Sequence, residues 1–316
     1  MCGILGTVPS SDQSLFKHAL DTLTHRGPDS YGIEHISEDV SLGHRRLSIL
    51  DISENGSQPM IHESKRYAII FNGEIYNFLE IKKELEQLGH TFKSSSDTEV
   101  LLKSYIQWGE DCVLKFNGMW AFGIWDAEEK KLFMSRDRYG KKPLFYAHIN
   151  GKFVFASEMK AIFPFMDRLE VSDDFHWMKK NIFFYEATEK CLVKGIKRFP
   201  AGHSGHYAGG ELKIYRYWNT LDHLVDVPKT YEEQVEQFRE LFMDSCKLRM
   251  RSDVTIGTAL SGGLDSSATI AAMANLAKNN NSYSDDWQHA FVASFPGTPL
   301  DESHYAKMVT DHLGIG

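Results

Sequence analysis

The chain has 316 residues, 42% of them hydrophobic and 25% charged, and its formal net charge is -8. A chain of this length favours two domains, and this composition excludes a disordered, collagen-like or low-complexity protein. The negative charge offers no basic surface to nucleic acid, and no apolar stretch approaches the roughly 20 residues that a membrane helix needs.

Cysteine usage indicates a reducing compartment. The four cysteines are widely spaced and form no CxxC pair: Cys2, Cys112, Cys191 and Cys246. This spacing favours neither a disulfide framework nor a thiolate zinc site. The N-terminus MCGILGTVPSSD also has no charged leader followed by a long apolar run. We therefore expect a soluble, cytoplasmic protein that acts on small molecules and has no nucleic-acid or membrane partner.

The first 200 residues are predicted to be rich in strands. Short apolar runs bounded by Gly, Asp or Asn predict strands over residues 4–8, 67–71, 120–125, 131–135, 144–146 and 153–156. Apolar residues three or four apart predict helices over residues 78–88 and 98–108, each followed by a glycine. Helices should therefore pack on sheets in this region.

A change of pattern near residue 210 predicts a domain boundary. Residues 199–210 are dense in glycine, and a last strand is predicted over residues 211–218. The downstream prediction is a helix, a strand, a glycine turn, a helix and a second strand, over residues 231–250, 255–260, 261–265, 266–277 and 290–295. This alternation is typical of a parallel α/β sheet. The polar segment 279–286 is predicted to be a loop.

Cys2 combines a thiol with the extreme N-terminus. Aminopeptidases readily remove an initiator Met1 that precedes a small residue, which leaves a thiol and a free α-amine on one residue. A thiol attacks as the thiolate, and an α-amine with a pKa of about 7.7 to 8.0 can accept its proton without a separate histidine. The alternative is a buried, inert cysteine, since free cysteines are among the most buried residues.

Four further motifs follow in order and decide between these readings. They are HRGPD at residues 25–29, RRLSILD at 45–51, FNGEIYN at 71–77 and SSDTE at 95–99. Together with MCGI at the N-terminus they resemble the class II glutamine amidotransferases, which are N-terminal nucleophile hydrolases. Five ordered motifs are far more specific than any one of them. The resemblance implies that Cys2 attacks the side-chain amide of glutamine and that ammonia leaves.

The resemblance also assigns roles within a glutamine pocket. An oxyanion needs preorganised donors, and the family supplies them from the NGE motif, here the Asn72 side chain and the Gly73 backbone. The family binds the α-carboxylate of glutamine with the arginine of RLSI, here Arg46, and the α-ammonium with the aspartate of SSDTE, here Asp97. The remaining predicted pocket residues are Glu74 and the segment Leu47, Ser48, Ile49 and Leu50.

Each of these residues also has a structural interpretation. Asn72 and Gly73 alone would predict a hairpin turn, Asp97 a helix N-cap and Arg46 a solvated surface cation. In the HRGPD motif, Gly27 and Pro28 suit a turn, and the flanking arginine and aspartate suit an ion pair. We expect this motif to shape the pocket rather than to react.

A second motif lies where a predicted strand meets a predicted helix. SGGLDSS at residues 261–267 places backbone amides, small hydroxyls and a helix N-terminus where they can bind phosphate, and it lacks the lysine of a Walker motif. It resembles the pyrophosphate loop of the ATP pyrophosphatases, which adenylate a substrate. The structural alternative is a Ser/Gly-rich connection whose aspartate caps a helix.

This second resemblance implies an ATP and Mg²⁺ site. Asp265 would help to hold Mg²⁺, which prefers carboxylate and water oxygens. The predicted ATP-binding residues are Leu260, Ser261, Gly262, Gly263, Asp265, Ser266, Ser267, Ala293 and Ser294. Asp301 and Glu302 follow them, and these two carboxylates would also suit the N-terminus of a helix.

The order of the two sites resembles glutamine-hydrolysing asparagine synthetases. The predicted fold is therefore mixed, α+β and α/β: an N-terminal nucleophile αββα sandwich over residues 2–213, a linker over 214–230, and the start of a parallel α/β ATP-pyrophosphatase domain over 231–316. The expected chemistry is ATP-dependent amidation of aspartate with ammonia from glutamine, without an organic prosthetic group, and the resemblance is compatible with a homodimer.

Two alternatives stay open at this point. Family members continue well beyond the motif that ends this chain, DHLGIG, and carry a second nucleotide motif that we do not find here, so we expect the synthetase domain to be truncated. The chain could instead amidate another carboxylate, or it could be a module that only hydrolyses glutamine or has a regulatory binding role.

Overall fold

Two antiparallel sheets organise the first of two units, Met1–Leu224 and Val225–Gly316, into which the chain divides in the computed structural model. The structure describes residues 1–278 and 287–315, so the predicted loop at 279–286 lies outside the described residues. Within the described residues, no helix is both long enough and apolar enough to cross a bilayer.

The strands and helices of the first unit alternate irregularly along the chain. The strands are β1 Gly3–Val8, β2 Ser30–Ile36, β3 Val40–Arg46, β4 Met60–Ile61, β5 Tyr67–Ile75, β6 Gly118–Asp126, β7 Lys131–Arg136, β8 Phe145–Ile149, β9 Lys152–Ala156, β10 Ile196–Arg198, β11 His203–Ala208 and β12 Glu211–Arg216. The α-helices are α1 Gln13–Asp21, α2 Phe78–Gln87, α3 Asp97–Trp108, α4 Cys112–Lys115 and α5 Phe175–Lys180.

The two sheets stack face to face. The first sheet has the strand order β10-β8-β9-β1-β3-β2, and the second has the order β12-β11-β7-β6-β5-β4. Because side chains alternate along a strand, each sheet has one face toward its partner sheet and one toward helices. Ile4 and Leu42 of the first sheet pack with Ile70 and Trp125 of the second. The inner apolar layer therefore lies between the sheets.

Helices cover both outer faces. Phe16 and Leu20 of α1 pack with Leu5 and Val154 of the first sheet. Helices α2 and α3 pack on the second sheet through a separate cluster that includes Phe71. The result is the predicted αββα arrangement.

The predicted elements of the first unit are all present, and most strands extend beyond their predicted ends. The predicted strand at 67–71, for example, continues to Ile75 as β5. The predictions omitted three helices, α1, α4 and α5, and five strands, β2, β3, β4, β10 and β11. Strand β2 has no fully buried residue, and β3 is buried throughout and includes polar residues. Neither pattern shows the clean alternation on which the predictions relied.

The glycine-dense segment 199–210 is part of the second sheet rather than a connection between domains. It contains β11, which pairs with both β7 and β12. Gly209 and Gly210 have φ values of +58° and +84° and form the turn of the β11-β12 hairpin. Strand β12 ends at Arg216, three residues beyond the predicted domain end, and the division at Leu224 falls within the predicted linker.

The second unit contains alternating helices and parallel strands. Its elements are α6 Tyr231–Arg249, β13 Ile256–Ala259, α7 Leu264–Lys278, β14 Gln288–Phe291 and α8 Ser303–Leu313. Strands β13 and β14 pair in parallel, as predicted. Helix α6 begins at a capping box in which Thr230 and Glu233 each bond to the other's backbone.

Candidate active site

Cys2 lies beside the loop that follows β3. Its Sγ accepts a hydrogen bond from Leu47 N at 3.4 Å and lies 3.6 Å from Leu47 O, and Arg26 Nε donates to the carbonyl of Cys2 at 2.9 Å. Burial raises the pKa of the thiol, and the Leu47 amide opposes that shift. The thiol therefore needs a nearby proton acceptor before it can attack.

The terminal amine is positioned to influence this thiol. Burial lowers the pKa of the amine of Met1, and the charges of this amine and of Cys2 interact. A lowered pKa increases the fraction of free amine at neutral pH. The Met1 side chain itself is 55% exposed. Met1 is therefore an accessible initiator residue, and its removal would place the terminal amine on Cys2.

Asn72 and Gly73 lie within β5, where they pair with Ala121 and Trp120 of β6, so the hairpin-turn interpretation was wrong. A Cβ atom at position 73 would lie 2.3 Å from the carbonyl oxygen of Met119. This close approach explains why the strand has a glycine here.

The N–H of Gly73 lies on an edge of β5. The N–H of Phe71 donates to Gln58 Oε1 at 2.6 Å, and the N–H of Ile75 donates to Asp97 Oδ2 at 2.9 Å. Alternate N–H groups of a strand point to the same edge. The N–H of Gly73 therefore points to this edge too, between two groups that are already bonded.

Asn72 is completely buried and has no partner for its side-chain amide. Neither Nδ2 nor Oδ1 forms a hydrogen bond within the described residues. Its side chain points to the same face of β5 as that of Ile70, which lies in the layer between the sheets. A buried polar group without a partner is costly, and a ligand that accepts a hydrogen bond would relieve that cost.

Half-buried Glu74 and buried Asp97 form an acidic pair at the same site. Burial raises the pKa of both carboxyl groups, and for Glu74 the charge of Asp97 raises it further. Asp97 is the first residue of α3, and the N-cap is Ser96, so the N-cap interpretation of Asp97 was wrong. Two neighbouring carboxylates that repel each other favour a cationic ligand.

Arg46 is buried and organises the loop that follows it. Its guanidinium donates to the carbonyls of Ser53 at 2.8 Å, Leu50 at 3.4 Å and Asp51. The surface-cation interpretation was therefore wrong. Arg46 positions this loop beside Cys2, and any contact with a substrate carboxylate must use the N–H groups that remain.

One cavity brings most of the predicted glutamine-binding residues together. Its predicted lining residues are Cys2, Arg46, Leu47, Ile49, Leu50, Gly73, Glu74 and Asp97. It is also lined by residues that the sequence did not indicate, namely Gly56, Gln58, Phe71, Ser96 and Thr98. Ser48 and Asn72 do not line it, and the amide of Ser48 instead donates to Asp29 Oδ2 at 2.8 Å.

Lys142 is a second contributor that the sequence did not indicate. It is only 3% exposed, and its charge interacts with those of Glu74 and Cys2. Burial lowers its pKa, and the two acidic groups oppose that shift. Adjacent lysines in the sequence suggest a solvated surface, so only the folded chain reveals this buried cation.

The HRGPD motif shapes the site as expected. Arg26 pairs with Glu158 at 2.9 Å while it holds the Cys2 carbonyl, and Asp29 holds the amide of Ser48. Within the described part of the chain, Arg26 and Asp29 do not form an ion pair with each other. The motif therefore links the nucleophile and the loop to the scaffold.

In the second unit, SGGLDSS spans the turn that follows β13 and the first four residues of α7, so the helix begins two residues before its predicted start. Gly262 has φ +82°, and a Cβ there would lie 2.4 Å from Tyr305 Cβ. Ser266 Oγ lies 3.1 Å from Ser261 Oγ. Ser267 Oγ is buried and has no hydrogen-bond partner within the described residues. This turn presents an unbonded hydroxyl and the N-terminus of a 15-residue helix.

The other predicted nucleotide-binding residues precede, belong to or follow the SGGLDSS motif. Leu260 is buried, Gly263 N donates to Ser261 Oγ at 3.3 Å, and Ala293 and Ser294 are exposed beyond β14. Asp301 Oδ1 accepts from Ser303 N at 3.3 Å at the start of α8.

Asp265 is exposed in the first turn of α7. Within the described residues it belongs to no cluster of three or more metal-ligating side chains. Mg²⁺ that is bound mainly by phosphates and water needs only one or two protein carboxylates, so Asp265 fits one ligand of such a site.

The chain is similar to two known families over consecutive segments. Residues 1–218 match the family model described as glutamine amidotransferase domain, and residues 237–316 match the one described as asparagine synthase. Asparagine synthetase [glutamine-hydrolyzing] 3 of Bacillus subtilis is 37% identical over 99% of this chain and 53% of its own length. Asparagine synthetase B of Escherichia coli is 32% identical over the same shares. The chain therefore spans about half the length of these relatives.

Solved structures share the fold. The glutamine phosphoribosylpyrophosphate amidotransferase of B. subtilis aligns with a TM-score of 0.52 and 18% identity, over 89% of this chain and 64% of its own. A structure described as the allosteric regulatory enzyme of purine biosynthesis aligns with a TM-score of 0.54 and 17% identity, over 94% of this chain and 66% of its own. These likenesses support the predicted class II sandwich.

Proposed function

The chain belongs to the glutamine amidotransferase domain family, and on this premise we propose that Cys2 hydrolyses glutamine to glutamate and ammonia. We further propose that the ammonia serves an ATP-dependent synthesis of asparagine from aspartate, in which ATP is converted to AMP and pyrophosphate. The enzyme would be a carbon–nitrogen ligase with glutamine as amide donor. A cytoplasmic location and a homodimeric assembly stay predictions.

The observation that supports the hydrolytic step is the unbonded pair of donors in β5. Asn72 Nδ2 has no hydrogen-bond partner in the described part of the chain, and the N–H of Gly73 lies at the strand edge beside the cavity that contains Cys2. Two donors that are fixed before the reaction stabilise an oxyanion without reorganisation. A purely structural asparagine would be expected to bond to the backbone around it.

The proposed reaction begins at the Cys2 thiol. After removal of Met1, the α-amine of Cys2 accepts the thiol proton, and Sγ attacks the amide carbon of glutamine. The oxyanion forms between Asn72 and Gly73, and the carbon–nitrogen bond breaks as the proton passes to the leaving nitrogen. Ammonia departs from a glutamyl thioester. Water then attacks the thioester, so that glutamate leaves and the thiol is restored.

Substrate recognition follows from the charges of the pocket. The acidic pair Glu74 and Asp97 would bind the α-ammonium of glutamine, which replaces their mutual repulsion with attraction. Arg46 would contribute a remaining N–H to the α-carboxylate, beside the loop of Leu47 to Leu50 that it holds in place. The pocket therefore suits a zwitterion with an uncharged amide side chain.

The second unit is proposed to bind ATP. The SGGLDSS turn and the N-terminus of α7 suit the phosphates, with Ser267 Oγ as an unbonded donor. Leu260, Ala293 and Ser294 are the proposed nucleotide contacts. Asp265 would hold Mg²⁺, which neutralises the phosphate charge when it is bound. The proposed acceptor is the β-carboxylate of aspartate.

The test is to incubate the protein with glutamine, ATP, Mg²⁺ and aspartate and to measure glutamate, AMP, pyrophosphate and asparagine separately. Glutamate is expected from the wild type and not from Cys2→Ala. The hydrolytic proposal fails if the wild type makes no glutamate or if Cys2→Ala makes as much. Glutamate without AMP would contradict synthetase activity for these 316 residues, and AMP without asparagine would point to another acceptor carboxylate.

A further inference from the structure

Phe71 precedes the two proposed oxyanion donors, and its backbone N–H and carbonyl each contact a side chain. Strand β4 pairs with β5 only at Ile69 and Ala68, so the edge of β5 is open from Phe71 onward. At Phe71 two side chains replace the missing strand. Gln58 Oε1 accepts from the N–H of Phe71 at 2.6 Å, and His44 Nε2 lies 3.1 Å from the carbonyl of Phe71.

His44 is suited to a single role, the donation of this hydrogen bond. It is completely buried on β3, on the same face of that strand as Leu42, so it extends across the layer between the sheets. Burial lowers the pKa of His44 to about 3, which keeps the imidazole neutral. A neutral ring has one N–H, and a carbonyl partner requires it on Nε2. His44 Nδ1 has no partner within the described residues and does not line the cavity.

Gln58 extends the same arrangement to the helix that contains Asp97. Its Nε2 donates to Thr98 Oγ1 at 3.1 Å, and Thr98 follows Asp97 at the start of α3. Asp97 in turn accepts the N–H of Ile75. The edge of β5 is therefore tied to the first sheet by His44 and to α3 by Gln58 and Asp97, and the tied positions flank Asn72 and Gly73.

We propose that His44 and Gln58 are positioning residues that hold Phe71 and thereby fix Asn72 and Gly73 as oxyanion donors. This inference rests on the proposed glutamine hydrolysis. Donors that must meet a developing charge lose effectiveness with small displacements, and an error of about 1 Å can cost about 100-fold in rate. Among the residues that the structure describes, Asn72 has no hydrogen-bond partner that would hold its amide, so its position depends on the backbone of β5.

The experiment compares His44→Leu, His44→Gln and Gln58→Leu with the wild type in full-length protein. The glutamine side chain can place an N–H near the position of His44 Nε2, whereas leucine has no donor. We expect kcat for glutamate release to fall about 10-fold to 100-fold in both leucine variants and to recover in large part in His44→Gln. KM for glutamine should change little in His44→Leu, because His44 does not line the cavity.

A second measurement separates positioning from loss of fold. Alkylation of Cys2 by iodoacetamide forms no oxyanion, so its rate should stay within about twofold of the wild type in all three variants. Asn77→Leu is the matched control, because Asn77 also clamps backbone groups, donating to Lys115 O at 2.9 Å and accepting from Asn117 N at 2.8 Å, without touching Phe71. Its kcat should equal that of the wild type.

The outcomes distinguish the two proposals. If the wild type releases no glutamate, glutamine hydrolysis fails and the positioning role fails with it. If the wild type is active and His44→Leu keeps its kcat within about twofold, only the positioning role is wrong. Equal losses in kcat, alkylation rate and the Asn77→Leu control would also overturn it, because they would indicate a general loss of structure.

Discussion

The two units of the chain prepare their candidate sites in different ways. In Met1–Leu224 the site lies at a buried strand edge, where Asn72 is fully enclosed and Asp97 is 4% exposed. In Val225–Gly316 the candidate phosphate loop is a surface turn, and Asp265 and Ser261 are exposed. The first site uses unpaired buried groups, and the second uses the backbone at a helix N-terminus.

This difference follows from the ligands proposed for each site. An oxyanion exists only during the reaction, so its donors must be fixed and dry beforehand. A triphosphate is permanently charged and can be drawn to a helix N-terminus from solvent. Buried side chains need a large core to hold them. The first unit has three extensive apolar clusters, whereas the clusters of the second unit contain few fully buried residues.

The largest effect on kcat is expected from a substitution in the buried site. Asn72→Ala removes one of two proposed oxyanion donors, and kcat for glutamate release should fall about 100-fold to 1,000-fold. KM for glutamine should change much less, since the donor acts on the transition state. Steady-state kinetics measures both. An unchanged kcat would show that the unpaired amide of Asn72 has no catalytic role.

A smaller effect is expected at the exposed loop. Gly262→Ala would place a Cβ 2.4 Å from that of Tyr305 and 2.7 Å from Ala306 N at a φ of +82°. We expect affinity for MgATP to fall about tenfold, measured by calorimetry, with glutamate release unchanged. The matched control is Gly297→Ala, because Gly297 has φ +75° and no atom of the described residues lies within 4 Å of the added Cβ. Equal losses in both variants would exclude the close approach as the cause.

The pH dependence of KM tests the role of the acidic pair Glu74 and Asp97. Because the pKa values of Glu74 and Asp97 are raised, the pair takes up a proton as the pH falls through the neutral range, and glutamine binding should weaken there. An ordinary pair of carboxylates would stay charged down to about pH 4. We therefore expect KM to rise several-fold between pH 8 and pH 6, in kinetics at constant ionic strength.

Glu74→Gln tests the cause of that shift. It removes the carboxyl group with the higher pKa, which takes up a proton first as the pH falls, so the pH at which KM rises should move downward toward the range set by Asp97. A raised folded-state pKa also means that the pair destabilises the empty fold as the pH rises above the unfolded value. The melting temperature of Glu74→Gln should therefore rise relative to that of the wild type as the pH increases. An identical pH profile in the variant would contradict the repulsion.

The smallest expected effect is a difference in hydrogen exchange between the two units, and its measurement needs no mutation. Backbone amides of α6 and α7 should exchange with deuterium faster than those of β5 and β6, because local opening exposes less apolar surface in the second unit. Mass spectrometry of peptides after timed exchange measures this. Similar protection in both units would show that the small clusters are sufficient.

Sequence patterns predicted the elements more reliably than the contacts. The strands and helices with clear alternation or helical spacing are present, including α3 and the parallel pair β13 and β14. Strand β3 was missed although Arg46, one of the predicted site residues, ends it. Its polar residues are buried by partners far along the chain, and no local pattern records such partners.

The residues named for the glutamine pocket could be read from ordered motifs because each motif is local. Gln58 and Lys142 could not, since each is distant in sequence from the groups it serves and has an ordinary local context. The same reason explains the wrong turn interpretation of Asn72 and Gly73: the pairing with β6, which makes them part of a strand, joins residues nearly fifty positions apart.

The chemical groups of this protein follow from its amino-acid order alone: the thiol of Cys2, the succession of the pocket motifs and the small residues of SGGLDSS. Only the tertiary structure decided which groups stay unpaired. Asn72 is a free donor because two stacked sheets bury it while His44 and Gln58 bond to the neighbouring backbone instead. Burial and pairing are properties of contacts between distant segments, and these contacts exist only after the chain has folded.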